Sequence, residues 1–232
     1  MFKPFLTVRT PKRMFMTTDL SFITNEHNQS LKDRFEVLIK DTSFFDCLVG
    51  YFYTSGFHSL YKSLETTEKI RILIGISTNR QIYDLLDQAG KPEQQSIDFS
   101  HAETKEKVEE LVEQELADSE DNRKIEEGVN TFIEWVRNGK LEVRAYPSQN
   151  IHAKLYIMTF VEDDRDVGRV ITGSSNFTQA GLVDNLEFNV ELKNPSDYEF
   201  SLRKFNELWK DAVDVSDRYV QTIQGKTWLS QM

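Results

Sequence analysis

The chain has 232 residues, a formal net charge of -10, 39% hydrophobic and 28% charged residues, one cysteine and four histidines. That length suffices for one sizeable domain with a buried core, expected to span residues 1–232. A single cysteine excludes an internal disulfide, and the scattered histidines make no zinc pattern, so no metal and no cofactor are expected. There is no run of 18 apolar residues, and Met1–Arg9 lacks the apolar stretch and cleavage site of a secretory signal, so a cytoplasmic protein away from the membrane is expected.

Taken in order, residues 1–28 read as an extended arm, with Phe2, Phe5, Met14 and Phe15 among Lys3, Arg9, Lys12 and Arg13, able to pair with a sheet edge or a second subunit. Leu31, Phe35, Leu38 and Ile39 recur at helical spacing after Ser30, a residue that caps helices. Phe44–Phe52 reads as a buried strand, Thr54 or Ser55 starts a helix to about Leu64, and Lys69–Ile76 is a second strand. Together they predict a parallel βαβ unit. In such sheets the strand ends border the cleft, which makes Tyr51, Tyr53 and Ser55 candidate wall residues. Thr78 and Asn79 cap a short helix with Ile82, Leu85 and Leu86, and residues 87–100 have turn composition.

Residues 100–138 read as an acidic helical hairpin inserted before the second half. Val108, Leu111, Val112 and Leu116 mark one helix, and Ile125, Val129, Phe132, Ile133 and Val136 the other. From Ser100 to Gly128 there are 11 acidic and four basic residues. The net charge argues against a nucleic-acid partner, but this insertion carries most of it. A local basic cleft with Lys12, Arg13, Arg71, Arg80, Arg144 and Lys154 as contributors stays open. Residues 141–215 form the remaining half. Leu141–Tyr146 is a strand, Glu162–Asp166 the tip of a hairpin, and Pro195-Ser196 the start of a final helix with Phe200, Phe205, Leu208, Trp209 and Val213.

The chemistry concentrates between 151 and 187. Ile151, Ala153, Leu155 and Ile157 alternate with His152, Lys154 and Tyr156, so a strand there points an imidazole and an ammonium the same way. Val170–Thr172 runs into Gly173-Ser174-Ser175-Asn176, a small polar turn suited to bringing donors close to an anion. Eleven residues after Asn176 comes Glu187, in a run where Leu186, Phe188, Val190 and Leu192 share one face and Glu187 takes the other. From there a carboxylate is placed to orient His152.

HxK, then GSxN, then an acidic residue resembles the phospholipase D superfamily, named for its His-Lys-Asp motif. The third letter departs: the Asp expected at 159 is Thr159. HAKLY without that Asp resembles the nuclease branch related to metal-independent restriction endonucleases. The resemblance implies an α/β fold, a phospholipase D-like mixed sheet flanked by helices, here with the helical hairpin insertion. It implies His152 as nucleophile, Lys154 and Asn176 on the phosphate, Glu187 as orienter, and Gly173, Ser174 and Ser175, with Tyr51 and Ser55, on the substrate. The family chemistry needs two histidines, whereas His27, His58 and His101 lack the motif, so a homodimer sharing one cleft is expected. The expected activity is metal-independent cleavage of DNA. The arrangement is similar to the amino-terminal domain ahead of helicase modules in bacterial restriction-type proteins, and Lys226–Met232 reads as an excised end; no G-x-x-x-x-G-K-[ST] is present. The rival reading is a non-catalytic nucleic-acid-binding or dimerisation module with a degenerate site.

Overall fold

The computed structural model describes residues 21–26, 29–50, 52, 54–75, 102, 104–106, 123–147, 151–162 and 166–226. Tyr51, Tyr53, the arm before residue 21, the helix expected after Thr78, and the first helix of the hairpin beyond Glu106 lie outside them.

Ser30 starts α1 (Leu31–Leu38). Its hydroxyl accepts the Asp33 amide at 3.1 Å while the Asp33 carboxylate accepts the Ser30 amide at 3.0 Å, a reciprocal cap with an acid in the favourable first turn. Leu31, Phe35 and Leu38 form its buried stripe. The next strand, β2 (Thr42–Val49), is buried on both faces except at Phe44, as suits a central strand. The α2 helix (Thr54–Leu60) carries the chain to β3 (Lys69–Gly75), which pairs with β2 in parallel, so the expected βαβ unit is present. After α3 (Arg123–Arg137), β4 (Leu141–Tyr146) adds in parallel to β3.

From there the chain extends the other side of β2 in antiparallel steps. β5 (Leu155–Phe160) pairs with β2, β6 (Gly168–Gly173) with β5, and β7 (Asn189–Leu192) with β6. Phe22–Ile23 forms β1 on the outer edge of β7. At the far edge β8 (Val213–Asp214) follows α4 (Pro195–Asp211), and α5 (Ser216–Lys226) ends the described chain. The result is one mixed sheet of eight strands in the order β1-β7-β6-β5-β2-β3-β4-β8.

Helices cover both faces. Beneath α1, α2, α3 and α5 lies an aromatic core in which Phe35 meets Tyr156 at 5.0 Å, Phe57 meets Phe132 at 5.3 Å and Phe52 meets Phe177 at 5.5 Å. On the other face Tyr198, Phe205 and Trp209 of α4 pack over Leu48, Leu73, Ile157 and Val170. The Arg71 guanidinium lies 4.9 Å from the Phe205 ring centroid and forks onto Asp46 with two 2.6 Å hydrogen bonds. Burial raises the Asp46 carboxyl above the ordinary range, and Arg71 pulls it back down.

Three expectations need correction. The strand expected from Ile151 begins at Leu155, because pairing with β2 and β6 stops at Leu48 and Thr172; His152 and Lys154 precede it in irregular chain. The run from Asn185 to Leu192 is a strand only from Asn189, and its buried face is the polar one. Asn189 and Glu191 are 1% and 2% exposed, whereas Leu186 and Phe188 are 64% and 63% exposed. Glu191 is buried because Arg34 of α1 forks onto it at 2.7 and 2.8 Å, with Arg169 at 3.4 Å. Finally, Asn194 is the residue before the helix at Pro195, Val213 belongs to β8, and α5 follows.

Candidate active site

The parallel strands β2, β3 and β4 end on the same side of the molecule as the start of β5 and the end of β6. There Gly50 closes β2 between two predicted site residues: a Cβ on it would stand 3.5 Å from Asn176 Oδ1 and 3.9 Å from His152 Cδ2. Gly75 closes β3 under the segment 151–154, where a Cβ would overlap the Ile151 carbonyl oxygen. Glycine at 75 is therefore what lets the His152 segment cross the end of β3.

His152 is exposed, and Lys154 is 7% exposed. The Lys154 Nζ lies 3.2 Å from His152 Nδ1 and 3.1 Å from Nε2. An ammonium equidistant from both nitrogens in the ring plane would collide with ring carbon, so it sits over the imidazole face and leaves the in-plane lone-pair direction clear. Burial lowers Lys154 from the ordinary lysine value, and the Glu187 carboxylate acts in the opposite sense.

The turn after β6 divides its residues between two tasks. Gly173 and Ser174 are exposed at the site. Ser174 Oγ donates to Glu187 and accepts the Phe188 amide at 2.9 Å, while the Ser174 amide donates to the Phe188 carbonyl at 3.0 Å. Ser175 is fully buried. Its carbonyl accepts the Tyr156 hydroxyl at 2.8 Å, its hydroxyl accepts Asn189 Nδ2 at 2.8 Å, and its amide donates to Asn189 Oδ1 at 3.3 Å. Ser175 thus anchors the turn, whereas Ser174 faces outward. Ser55 is also engaged in packing, its hydroxyl accepting the Gln179 amide at 3.5 Å.

His152, Lys154, Gly173, Ser174, Asn176 and Glu187 therefore gather at one end of the sheet. The expected Glu187 to His152 hydrogen bond is not formed: among the described residues Glu187 takes the Ser174 hydroxyl, next to Lys154. Asn189 and Gly75, which shape the site, were not singled out in the sequence. Asn189 sits on the face that the Leu186–Leu192 alternation marks as polar and outward, and the signal at Gly75 is only a glycine closing an apolar strand. Among the described residues no three His, Cys, Asp or Glu side chains are grouped to share a metal ion.

The family described as "Cardiolipin synthase, PLD-like domain" matches residues 60–209, well over half of the chain and all of the motif stretch. The chain belongs to the phospholipase D-like family. No curated protein matches it. Among solved structures, an archaeal chromatin protein, TrmBL2, whose structure shows a novel mode of DNA binding, is 15% identical with a TM-score of 0.42; the match covers 86% of this chain and 57% of that one. Nuc from Salmonella typhimurium, a phospholipase D family member, is 17% identical with a TM-score of 0.42, over 79% of this chain and 89% of that one. NucT from Helicobacter pylori is 10% identical with a TM-score of 0.42, over 79% and 90%.

In this phospholipase D-like chain the departure at Thr159 falls away from the site. Thr159 is five residues beyond Lys154, about 16 Å along an extended strand. Its hydroxyl meets Tyr198 Oη of α4 at 2.8 Å, on the sheet face opposite the aromatic core that holds Tyr156. The residue at 159 is a strand-to-helix tie. Thr159→Val is expected to cost about 1 kcal/mol of stability, the worth of one neutral hydrogen bond. Urea denaturation checks the cost, and NMR checks that the Lys154 titration stays unmoved.

Proposed function

We propose that this chain is a metal-independent phosphodiesterase of the nuclease branch, cutting DNA through His152 as one half of a homodimer, and that it serves as one domain of a larger helicase or restriction-type protein. The observation that carries this reading is the convergence of an exposed imidazole, an ammonium 3.1 Å from it, and a hydroxyl and carboxylate pair at one end of the sheet. A ring nitrogen of His152 bonds to phosphorus, and the bond to the leaving oxygen breaks with its electron pair. The imidazolium of His152 in a second copy gives that oxygen its proton. Water then attacks the phosphohistidine, surrendering a proton to the now neutral second imidazole, and His152 departs from phosphorus. Lys154 offsets the charge on the non-bridging oxygens, with Asn176 and Ser174 as neighbouring polar groups.

The second copy is needed because, among the described residues, His152 is the one imidazole at the site. His58 stands instead in α2, against Gly128 of α3. Leu186 and Phe188, exposed on either side of Glu187, support an apolar contact beside the cleft. Among the described residues no helix is long and apolar enough to cross a membrane.

Cleavage of single- and double-stranded DNA in EDTA, with mass by light scattering, tests the reading. A dimer that cuts is expected. A monomer that cuts equally well contradicts the shared site, hydrolysis of phosphatidylcholine vesicles alone moves the substrate to lipid, and a dimer that binds DNA without cutting is the rival binding module. The titration of Lys154 gives a further test. Followed by NMR at Cε, it is expected below the ordinary lysine range of about 10.4, because burial disfavours the ammonium. Removing the carboxylate that holds Lys154 up, by Glu187→Gln, moves that titration further down.

A further inference from the structure

Asn25 is the one non-glycine among the described residues with a positive φ, 60°. Asn tolerates this left-handed region better than most residues, and the conformation lets its carboxamide turn inward. Nδ2 donates to the carbonyl oxygens of Gly181 and Asn185, each at 3.0 Å, and Oδ1 accepts the Leu31 amide at 2.7 Å. Both N–H groups and the oxygen are used, which is a full complement for this side chain apart from one lone pair.

The first carbonyl belongs to the second residue of Ala180–Asp184, a single π-helical turn, and the other to the residue just after it. On one side this turn abuts the site: a Cβ on Gly181 would overlap the Asn176 backbone. On the other side Asn185 leads in two residues to Glu187, whose amide donates to the Thr24 carbonyl at 3.4 Å. Capping α1 engages only Oδ1 of Asn25; the donor half of the amide is spent on the turn between Asn176 and Glu187.

The geometry points to Asn25 as a positioning residue for the active site, a clamp that sets Asn176 and Glu187 by holding the turn between them at Gly181 and Asn185. The inference rests on the function proposed above for that site, but its first readout does not need turnover. The Glu187 carboxylate supports the charge on Lys154, so Glu187→Gln lowers the Lys154 titration, followed by NMR at Cε. Asn25→Gly keeps the left-handed backbone, removes the clamp and adds no charge. It is expected to move Lys154 in the same direction by at least a third of the Glu187→Gln shift. In the DNA assay its kcat is expected to fall about 10²-fold, the scale of a 1 Å misplacement, with KM changed less than about threefold.

A folded Asn25→Gly protein whose Lys154 titrates as in the wild type, while Glu187→Gln shifts it, overturns the proposal and leaves Asn25 as a helix cap. Should Asn25→Gly fail to fold, Asn25→Asp keeps the Leu31 cap and sets a carboxylate oxygen against the two carbonyls. Displacement of Glu187 then lowers the Lys154 titration, as the proposal requires, whereas an added negative charge beside an undisturbed site raises it and refutes the clamp. A wild-type chain that cuts no phosphodiester counts against the proposed function, and the Lys154 titration then decides the role of Asn25 by itself.

Discussion

Replacing His152 with alanine is expected to reduce phosphodiester cleavage by more than about 10⁴-fold, because in a shared site one substitution removes the nucleophile from one copy and the proton donor from the other, and acid–base catalysis alone contributes up to about that factor. His152 is exposed, so the variant is expected to keep the wild-type mass in solution and its denaturation midpoint. Lys154→Met should cost less, about 10²–10³-fold, the usual loss on removing one charge-stabilising donor from a transition state. Steady-state cleavage of a labelled oligonucleotide checks both. Equal losses in the two variants would separate neither role, whereas an active His152→Ala protein would exclude His152 as the nucleophile.

Glu191→Ala is expected to destabilise the fold by about 3–5 kcal/mol, the range for removing one partner of a buried ion pair. The Glu191 side chain is fully buried, with Arg34 forked onto it at 2.7 and 2.8 Å and Arg169 at 3.4 Å. Losing the carboxylate leaves two guanidinium groups facing each other between α1, β6 and β7, with Asp166 still paired to Arg169. The double replacement Arg34→Met with Glu191→Met is expected to recover a large part of that loss, since the cost lies in the charge left alone more than in the pair's own strength. Urea midpoints of the single and double variants measure it, and a double variant no better than the single one would assign the loss to packing instead.

The sequence shows this fold where burial is apolar and regular. The Ser30 cap with Leu31 and Phe35, the β2-α2-β3 crossover, and the alternation through Leu141–Tyr146 all read directly, because period and cap chemistry act within a few residues. It misleads where polar groups are buried in pairs. The Leu186–Leu192 alternation has a real period of two, but Glu191 and Asn189 find Arg34 and Ser175 far away in the chain, and those partners turn the polar face inward. No local rule carries that information.

The site divides in the same way. His152, Lys154, Ser174, Asn176 and Glu187 are legible as a motif because their spacing places them on successive strand ends. Their supports are not: Asn25 reaches Gly181 across 156 residues, and Gly75 matters only because the Ile151 segment crosses it. Ser175 is legible as a motif member, yet full burial makes it an anchor for the turn. The absent Asp at 159 loses its weight once Thr159 is seen tied to Tyr198, five residues on from Lys154 and near the far end of β5.

The most direct test of His152 as the nucleophile is trapping the covalent intermediate. The protein is mixed with a short DNA substrate in EDTA, quenched in denaturant at alkaline pH where phosphohistidine survives, and read by intact mass and peptide mapping. An adduct on His152 that carries the retained DNA fragment through its phosphate, absent from His152→Ala, is the predicted result. Cleavage that proceeds in EDTA with no adduct on His152, or that appears only when a divalent metal is restored, would contradict it.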